Sequence, residues 1–397
     1  MPEADSLRVV LTVEQLWQPV PGGSGTYITE LAKQLVSHPE VAVTGYAARH
    51  LAAVASGAAH GLPDDLPVAT SRLDRRVLYE LWSRSLLGLS GERGGRQDGG
   101  RSRIGRCRVP KVSVPADVIH ATTWAIPPKS ASLVVTVHDL AFQRRPDFFT
   151  PRGVQFFERM LRITKRDADL VITPSRTTAD DCEGAGIERS RIRVIPHGVE
   201  QLEVSEARQA TFRAKYGLRR PFVLWVGTME PRKNLPVVLA AYALVLQSAP
   251  ELDLVLIGPD GWGGASDEVQ KLAASLPDGK VHVLGHVPLA DLNAAYASAE
   301  VFCFPSLWEG FGMPVLEAQA HGTPVVTSRA TSMAEVCGTG AVLVDPESPA
   351  EVAEGILACL GHQRSALSVA ALANARQYTW EKAAAQHIAV YQEAAHG

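Results

Sequence analysis

Two adjacent cations, Arg232 and Lys233, and two carboxylates eight positions apart, Glu309 and Glu317, are the side chains of this 397-residue chain best spaced to do chemistry. The cations lie in Gly227-Thr228-Met229-Glu230-Pro231-Arg232-Lys233-Asn234, between an apolar run and a helical pattern. A turn at a strand end would aim both into a crevice. There a guanidinium can bind two oxygens of a diphosphate, and an ammonium acts as a point charge. A solvated pair at a helix start is the plainer reading. Cations at a helix N-terminus oppose its dipole, however, so the placement asks for an anionic partner.

The carboxylates belong to Pro305-Ser306-Leu307-Trp308-Glu309-Gly310-Phe311-Gly312-Met313-Pro314-Val315-Leu316-Glu317-Ala318. Gly310 and Gly312, flanking Phe311, expose the amides of the turn as an anion cradle. Pro314 falls in the first turn of the next helix, where proline is tolerated. Carboxylates on both sides of a cradle would repel bare phosphate, so the ligand should carry a neutral polyol as well. One acid would accept from sugar hydroxyls and the other from a ribose. Paired acids of the glycosidase kind are the rival reading, but they would leave the cradle without a purpose. A third candidate is Pro21-Gly22-Gly23-Ser24-Gly25-Thr26-Tyr27, where Gly22, Gly23 and Gly25 precede a helical pattern. A dinucleotide fingerprint would need glycine at Ile28 and an acid where Ala47-Ala48-Arg49 stands, which argues against that cofactor.

The elements that must hold these loops alternate in type. Strand-like runs are expected at Leu7 to Val13, Val41 to Ala47, Val118 to His120, Leu133 to His138, Leu170 to Thr173 and Ile192 to Ile195. A second series covers Phe222 to Val226, Leu254 to Ile257, Val281 to Leu284, Val301 to Phe304, Pro324 to Thr327 and Ala341 to Val344. Helical patterns fall between them, including Thr26 to Ser37, Gly153 to Arg166, Leu235 to Gln247 and Pro314 to Ala320. Repeated strand–helix units imply parallel sheets with helices on both faces. The expected architecture is α/β, with two Rossmann-like, doubly wound domains facing a central cleft. The first would span 1–198 and the second 199–379. A last helix, 380–397, would cross back to the first domain. Ligands in such sheets sit beyond the carboxyl ends of the strands.

Composition narrows the classes further. Hydrophobic residues make up 46% and charged residues 20%, a globular balance, and the net charge of −3 argues against a nucleic-acid partner. No apolar run approaches the roughly 18 residues of a bilayer span, and the acidic, polar start is unlike a signal peptide, so a cytoplasmic protein is expected. Five cysteines never closer than 22 apart fit neither a disulfide framework nor a zinc site. The histidines at 120, 197, 282, 286 and 321 read as core or hinge residues. One stretch breaks the pattern: Arg72 to Lys111 holds eleven Lys/Arg against four acids. Apolar Val77, Leu78, Leu81, Trp82, Leu86 and Leu89 precede a glycine- and arginine-rich part, 88–105. It reads either as an ordinary helix with a solvated loop, or as a surface that meets anionic lipid at the inner face of a membrane, or an anionic acceptor.

The motif P-S-x-x-E-G-F-G-x-P-x-L-E-A, with G-T-x-E-P-R-K-N, G-G-x-G and His138 in Val135-Thr136-Val137-His138-Asp139, resembles the retaining nucleotide-sugar glycosyltransferases of family GT4, which have the GT-B architecture. The resemblance spans residues 7 to 394. It implies that Arg232 and Lys233 hold the donor diphosphate, with Gly227 in the same motif, and that Glu309 binds the transferred sugar beside the amides of Gly310, Phe311 and Gly312. Glu317 would accept from the ribose, His138 would lie under the sugar, and Gly22, Gly23 and Gly25 would close from the opposite domain. Thr228 stands where several relatives carry arginine. The resemblance further implies a hexose donor, mannose from GDP-mannose being the closest form, and a glycan, lipid-linked or small-molecule acceptor. It implies no cofactor and no divalent metal, and the chain offers no D-x-D at a strand end. A phosphorylase or sugar-nucleotide-processing enzyme of the same fold, and a non-catalytic subunit, are the alternatives.

Overall fold

The computed structural model describes residues 6–50, 60–84, 109–261 and 265–397. The glycine- and arginine-rich stretch 88–105, together with Leu86, Leu89, Cys107 and Trp262, lies outside them. The first sheet contains β1 (Leu7–Thr12), β2 (Val41–Ala47), β3 (Val68–Thr70), β4 (Val118–Ala121), β5 (Ser132–Thr136), β6 (Leu170–Thr173) and β7 (Ile192–Val194). Its order is β3-β2-β1-β4-β5-β6-β7 and every pair is parallel. The second contains β8 (Phe222–Val226), β9 (Asp253–Ile257), β10 (Val281–Gly285), β11 (Val301–Phe304), β12 (Val325–Ser328) and β13 (Ala341–Val344). Its order, β10-β9-β8-β11-β12-β13, is parallel throughout. The architecture is the expected pair of doubly wound α/β domains. The sequence expectation lacked only β3, three residues long at the sheet edge.

Parallel strands are covered on both faces, so they read as apolar runs rather than alternations. In β1, Val9 and Leu11 join one core layer and Val10 the other, all at most 1% exposed. The layer under Val9 and Leu11 is completed by the last helix, Trp380–His396, through Ala384, Ile388 and Tyr391. The same helix makes polar ties. Tyr391 Oη lies 2.8 Å from His120 Nδ1, and His387 Nε2 lies 2.8 Å from Tyr27 Oη. The linker glycine Gly198 permits the crossing, since a Cβ there would stand 2.3 Å from Trp380 N.

One expectation changes. The glycines 22–25 are not a loop ahead of a helix: the helix runs Gly22–Val36, and they form its first turn. Gly25 N already donates to Pro21 O at 3.2 Å, so the helical ladder begins before Thr26. Of the apolar positions after Arg72, Val77 is 43% exposed while two others turn inward. Helix Arg75–Ser83 buries Leu78 and Trp82 in the first domain's own core, with Trp82 Nε1 donating to Pro110 O at 2.9 Å. The described cysteines, Cys182, Cys303, Cys337 and Cys359, are buried and unpaired.

Candidate active site

In each sheet the order reverses where two neighbouring strands run to opposite sides, β1/β4 in the first and β8/β11 in the second. Loops leaving such a pair are forced together at the carboxyl edge. This is why Arg232 and Glu309 meet across 76 intervening positions. A 3-10 turn, Pro231–Lys233, follows β8, and Asn234 then adopts the left-handed conformation (φ 61°). Its amide donates to Pro305 O at 3.0 Å and Pro346 O at 2.6 Å, stapling this turn to the end of β11.

Glu309 is buried between the two cations. Its Oε2 lies 2.6 Å from Arg232 Nη1, and its Oε1 accepts from Lys233 Nζ at 2.6 Å and from Ser306 Oγ at 2.7 Å. Arg232 also reaches Glu230 Oε1 at 2.7 Å and Trp308 O at 3.1 Å. Burial alone would push the Glu309 carboxyl up, but Arg232 and Lys233 carry it down to about 2. Burial and the neighbouring guanidinium push Lys233 down, against the pull of Glu309, while burial raises Glu230. Two cations and one fully ionised carboxylate thus share a desolvated pocket, with a second carboxylate at its edge. Charges held in this way gain much more from an incoming anion than they would in water.

Glu317 lies one turn into helix Met313–Ala320, where Tyr296 Oη donates to its Oε2 at 2.7 Å and burial raises its carboxyl. It borders an open interdomain crevice of about 590 Å³ whose opposite wall includes Thr26 and Glu30 of helix Gly22–Val36. Gly23 looks across at Met313, whose Sδ is 3.6 Å from where a Cβ would stand. Arg232, Lys233 and Glu309 do not line this crevice. Arg232 and Glu230 instead face a smaller hollow of about 150 Å³ shared with Phe148 and Phe149 of the first domain.

From the first domain, His138 is half-buried with Nε2 2.9 Å from Thr122 O, which makes that nitrogen the donor and leaves Nδ1 to accept. Burial lowers its basicity. The loop after β11 presses against it: a Cβ on Gly310 would stand 1.7 Å from His138 O. Gly312 is left-handed (φ 90°) and its Cβ would meet Met333 Cγ at 2.6 Å. Gly227 is crossed by Gly258, whose Cβ would lie 1.8 Å from Gly227 O. The Phe311 ring is buried, packs with Leu316 and Val336, and lies 4.9 Å from the His197 ring. Among the described residues, no three His, Cys, Asp or Glu side chains stand together as a metal-binding set.

The fold therefore brings Gly227, Arg232, Lys233, Glu309, Gly310, Phe311 and Gly312 to one edge, with His138 facing them. Glu317 lines the larger crevice and Gly23 faces its Met313, while Gly22 opens the helix and Gly25 is buried within it. Sequence reasoning missed Glu230, whose place two residues before Arg232 in the same turn was the available signal. It also missed Asp139, the residue after His138, which adds its charge to the field at Arg232. The histidine at 197 is more than a linker residue, because its ring joins Tyr27, His138, Phe311 and Trp380.

Two parallel Rossmann-like sheets, with two buried cations around a carboxylate at the switch point of the second and a facing histidine on the first, have the architecture of a GT-B glycosyltransferase. The chain belongs to glycosyltransferase family 4. Residues 21–201 match the model described as Glycosyltransferase Family 4, and residues 220–362 match Glycosyl transferases group 1. It is 31% identical over 283 residues to O-antigen chain mannosyltransferase B of Escherichia coli, covering 69% of this chain and 74% of that one. It is 30% identical over 262 residues to MMP alpha-(1->4)-mannosyltransferase of Mycolicibacterium hassiacum, covering 61% and 58%. Among solved structures, Anabaena HepE in complex with UDP and glucose superposes with a TM-score of 0.72 at 19% identity, over 98% of this chain and all of that one, and so shares the fold. Among the described residues, no single helix is long and apolar enough to cross a bilayer.

Proposed function

We propose that this glycosyltransferase moves mannose from GDP-mannose to a glycan, lipid-linked or small-molecule acceptor, with retention of anomeric configuration and without a divalent metal. The observation that carries this reading is the buried Arg232–Glu309–Lys233 network at the switch point of the second sheet. An arriving diphosphate takes over part of the cations' pairing and frees Glu309 to accept from a sugar hydroxyl. Negative charge that develops on the leaving diphosphate is then met by groups already in place, the part a metal plays elsewhere. Glu317, held by Tyr296, accepts from the ribose. His138, with Nε2 committed to Thr122 O, offers Nδ1 to a hydroxyl of the sugar. Two relatives named for mannosyl transfer support the choice of sugar. The HepE complex, which holds UDP and glucose, is the competing precedent.

A thermal-shift panel of nucleoside diphosphates and nucleotide sugars tests donor and metal together, since a ligand at a hundred times its Kd adds about 2.7 kcal/mol. GDP and GDP-mannose should raise Tm most, and turnover should survive a chelator. Stabilisation by UDP alone would move the donor to a uridine nucleotide. Loss of turnover in chelator, restored by a divalent ion, would overturn the metal-free reading.

A further inference from the structure

Ser175 and Thr178 lie on the first domain and the donor loop on the second, yet both hydroxyls end on the carbonyl of Gly310, at 2.7 Å and 3.0 Å. Both side chains are buried, 1% exposed. Ser175 also caps helix Arg176–Gly184, accepting from Thr178 N at 3.1 Å. A hydroxyl has one proton and two lone pairs, so the cap uses a lone pair and leaves the proton for Gly310. The same turn is tied to the second domain once more, by Arg176 N and Thr177 N donating to the Glu335 carboxylate at 3.0 Å and 3.3 Å. A planar trans peptide sends its C=O and the following N–H in opposite directions. Holding Gly310 O toward the first domain therefore turns the amide of Phe311 back toward the second, where Arg232, Lys233 and Glu309 stand.

We infer that Ser175 and Thr178 are positioning residues of the transfer reaction: by pinning the Gly310 carbonyl from the opposite domain, they aim the amide cradle at the donor phosphate only while the two domains are in contact. The inference rests on the proposed role of this loop in holding a donor phosphate. Neither hydroxyl touches the donor. Each acts through one peptide plane, and the contact forms only where the backbones of 138 and 310 meet. A donor bound to the second domain alone would have its cations and its ribose carboxylate, but not an aimed amide. The pin thus ties turnover to the presence of the acceptor-side domain.

Thr178→Val removes one hydroxyl while keeping the shape, Thr178→Ser keeps the hydroxyl, and Ser175→Ala removes the other. Each lost hydroxyl should lower kcat by about two- to tenfold, the usual range for one net hydrogen bond. The Kd for the nucleoside diphosphate should weaken by no more than that factor, because the cations and the ribose carboxylate of the second domain stay in place. Thr178→Ser should restore turnover. Hydrogen exchange at the amides of 309–312 in the nucleotide-bound protein should quicken in Thr178→Val and not in Thr178→Ser. Unchanged exchange and kcat in Thr178→Val would overturn the pin, as would an equal loss in Thr178→Ser. If the wild type turns over no nucleotide sugar, the proposed function fails, and the exchange result decides the pin by itself.

Discussion

Replacing Lys233 by alanine takes away one of two cations facing Glu309 and leaves a buried carboxylate with weaker compensation. Removing Glu309 instead leaves two like charges facing each other in a desolvated space. Each variant should lose at least about 10²-fold in kcat, the scale seen when one preorganised charge contact is removed. Wild-type rates in both would place the chemistry elsewhere. These residues were legible in the sequence because each carries a cost that needs a reason: cations at a helix start, and acids beside glycine-exposed amides. Ser175 and Thr178 were not legible as part of the site. Their partner is 135 and 132 positions away, and their local pattern already has a full explanation as a helix cap. Ser306, which bonds the Glu309 carboxylate, sits inside the recognised motif and still gave no sign of that bond.

The two loops of the second domain are short, and the structure depends on where glycine replaces a side chain within them. Gly310→Ala would place a methyl 1.7 Å from His138 O, backbone that has no free rotamer to retreat into. Overpacking typically costs ~1–3 kcal/mol, so the closed contact should weaken by roughly 5- to 150-fold. Turnover should fall accordingly while each domain stays folded, which kinetics and circular dichroism on one sample would show. Retained activity would mean that the backbones of 138 and 310 need not meet in the reaction. At this scale most of the fold was readable from apolar runs, because strands covered on both faces carry no polar alternation to confuse the signal. The exceptions have local causes. Val68–Thr70 is too short to show a period, and glycines 22–25 imitate a loop although the helical hydrogen bonds already pass through them.

Across the whole molecule, the last helix is fastened to the first sheet through a buried chain of polar side chains: Tyr391, His120, Thr136, Tyr27 and His387. Burial lowers the basicity of His120, His138 and His197, and brings His387 down to about 4 from 6.5. Below pH 6.5 the unfolded chain takes up protons that the folded chain refuses. Stability should therefore fall as pH drops from 6.5 toward 4, by about 1.4 kcal/mol per unit for each histidine that must charge. Denaturant midpoints at pH 7 and pH 5 measure this, and equal values would mean that the rings titrate in place. The carboxyl of Glu309 adds its own loss only lower, between its ordinary range and about 2. That fastening also decides the order in which a nascent chain can finish its parts. The opening half leaves the ribosome with one flank of its sheet bare, and the segment that covers it, Trp380–His396, is translated after the entire second sheet. An amino-terminal fragment produced without that segment would expose Val9, Leu11 and Tyr27 to solvent and should be recovered as aggregate rather than as a folded domain.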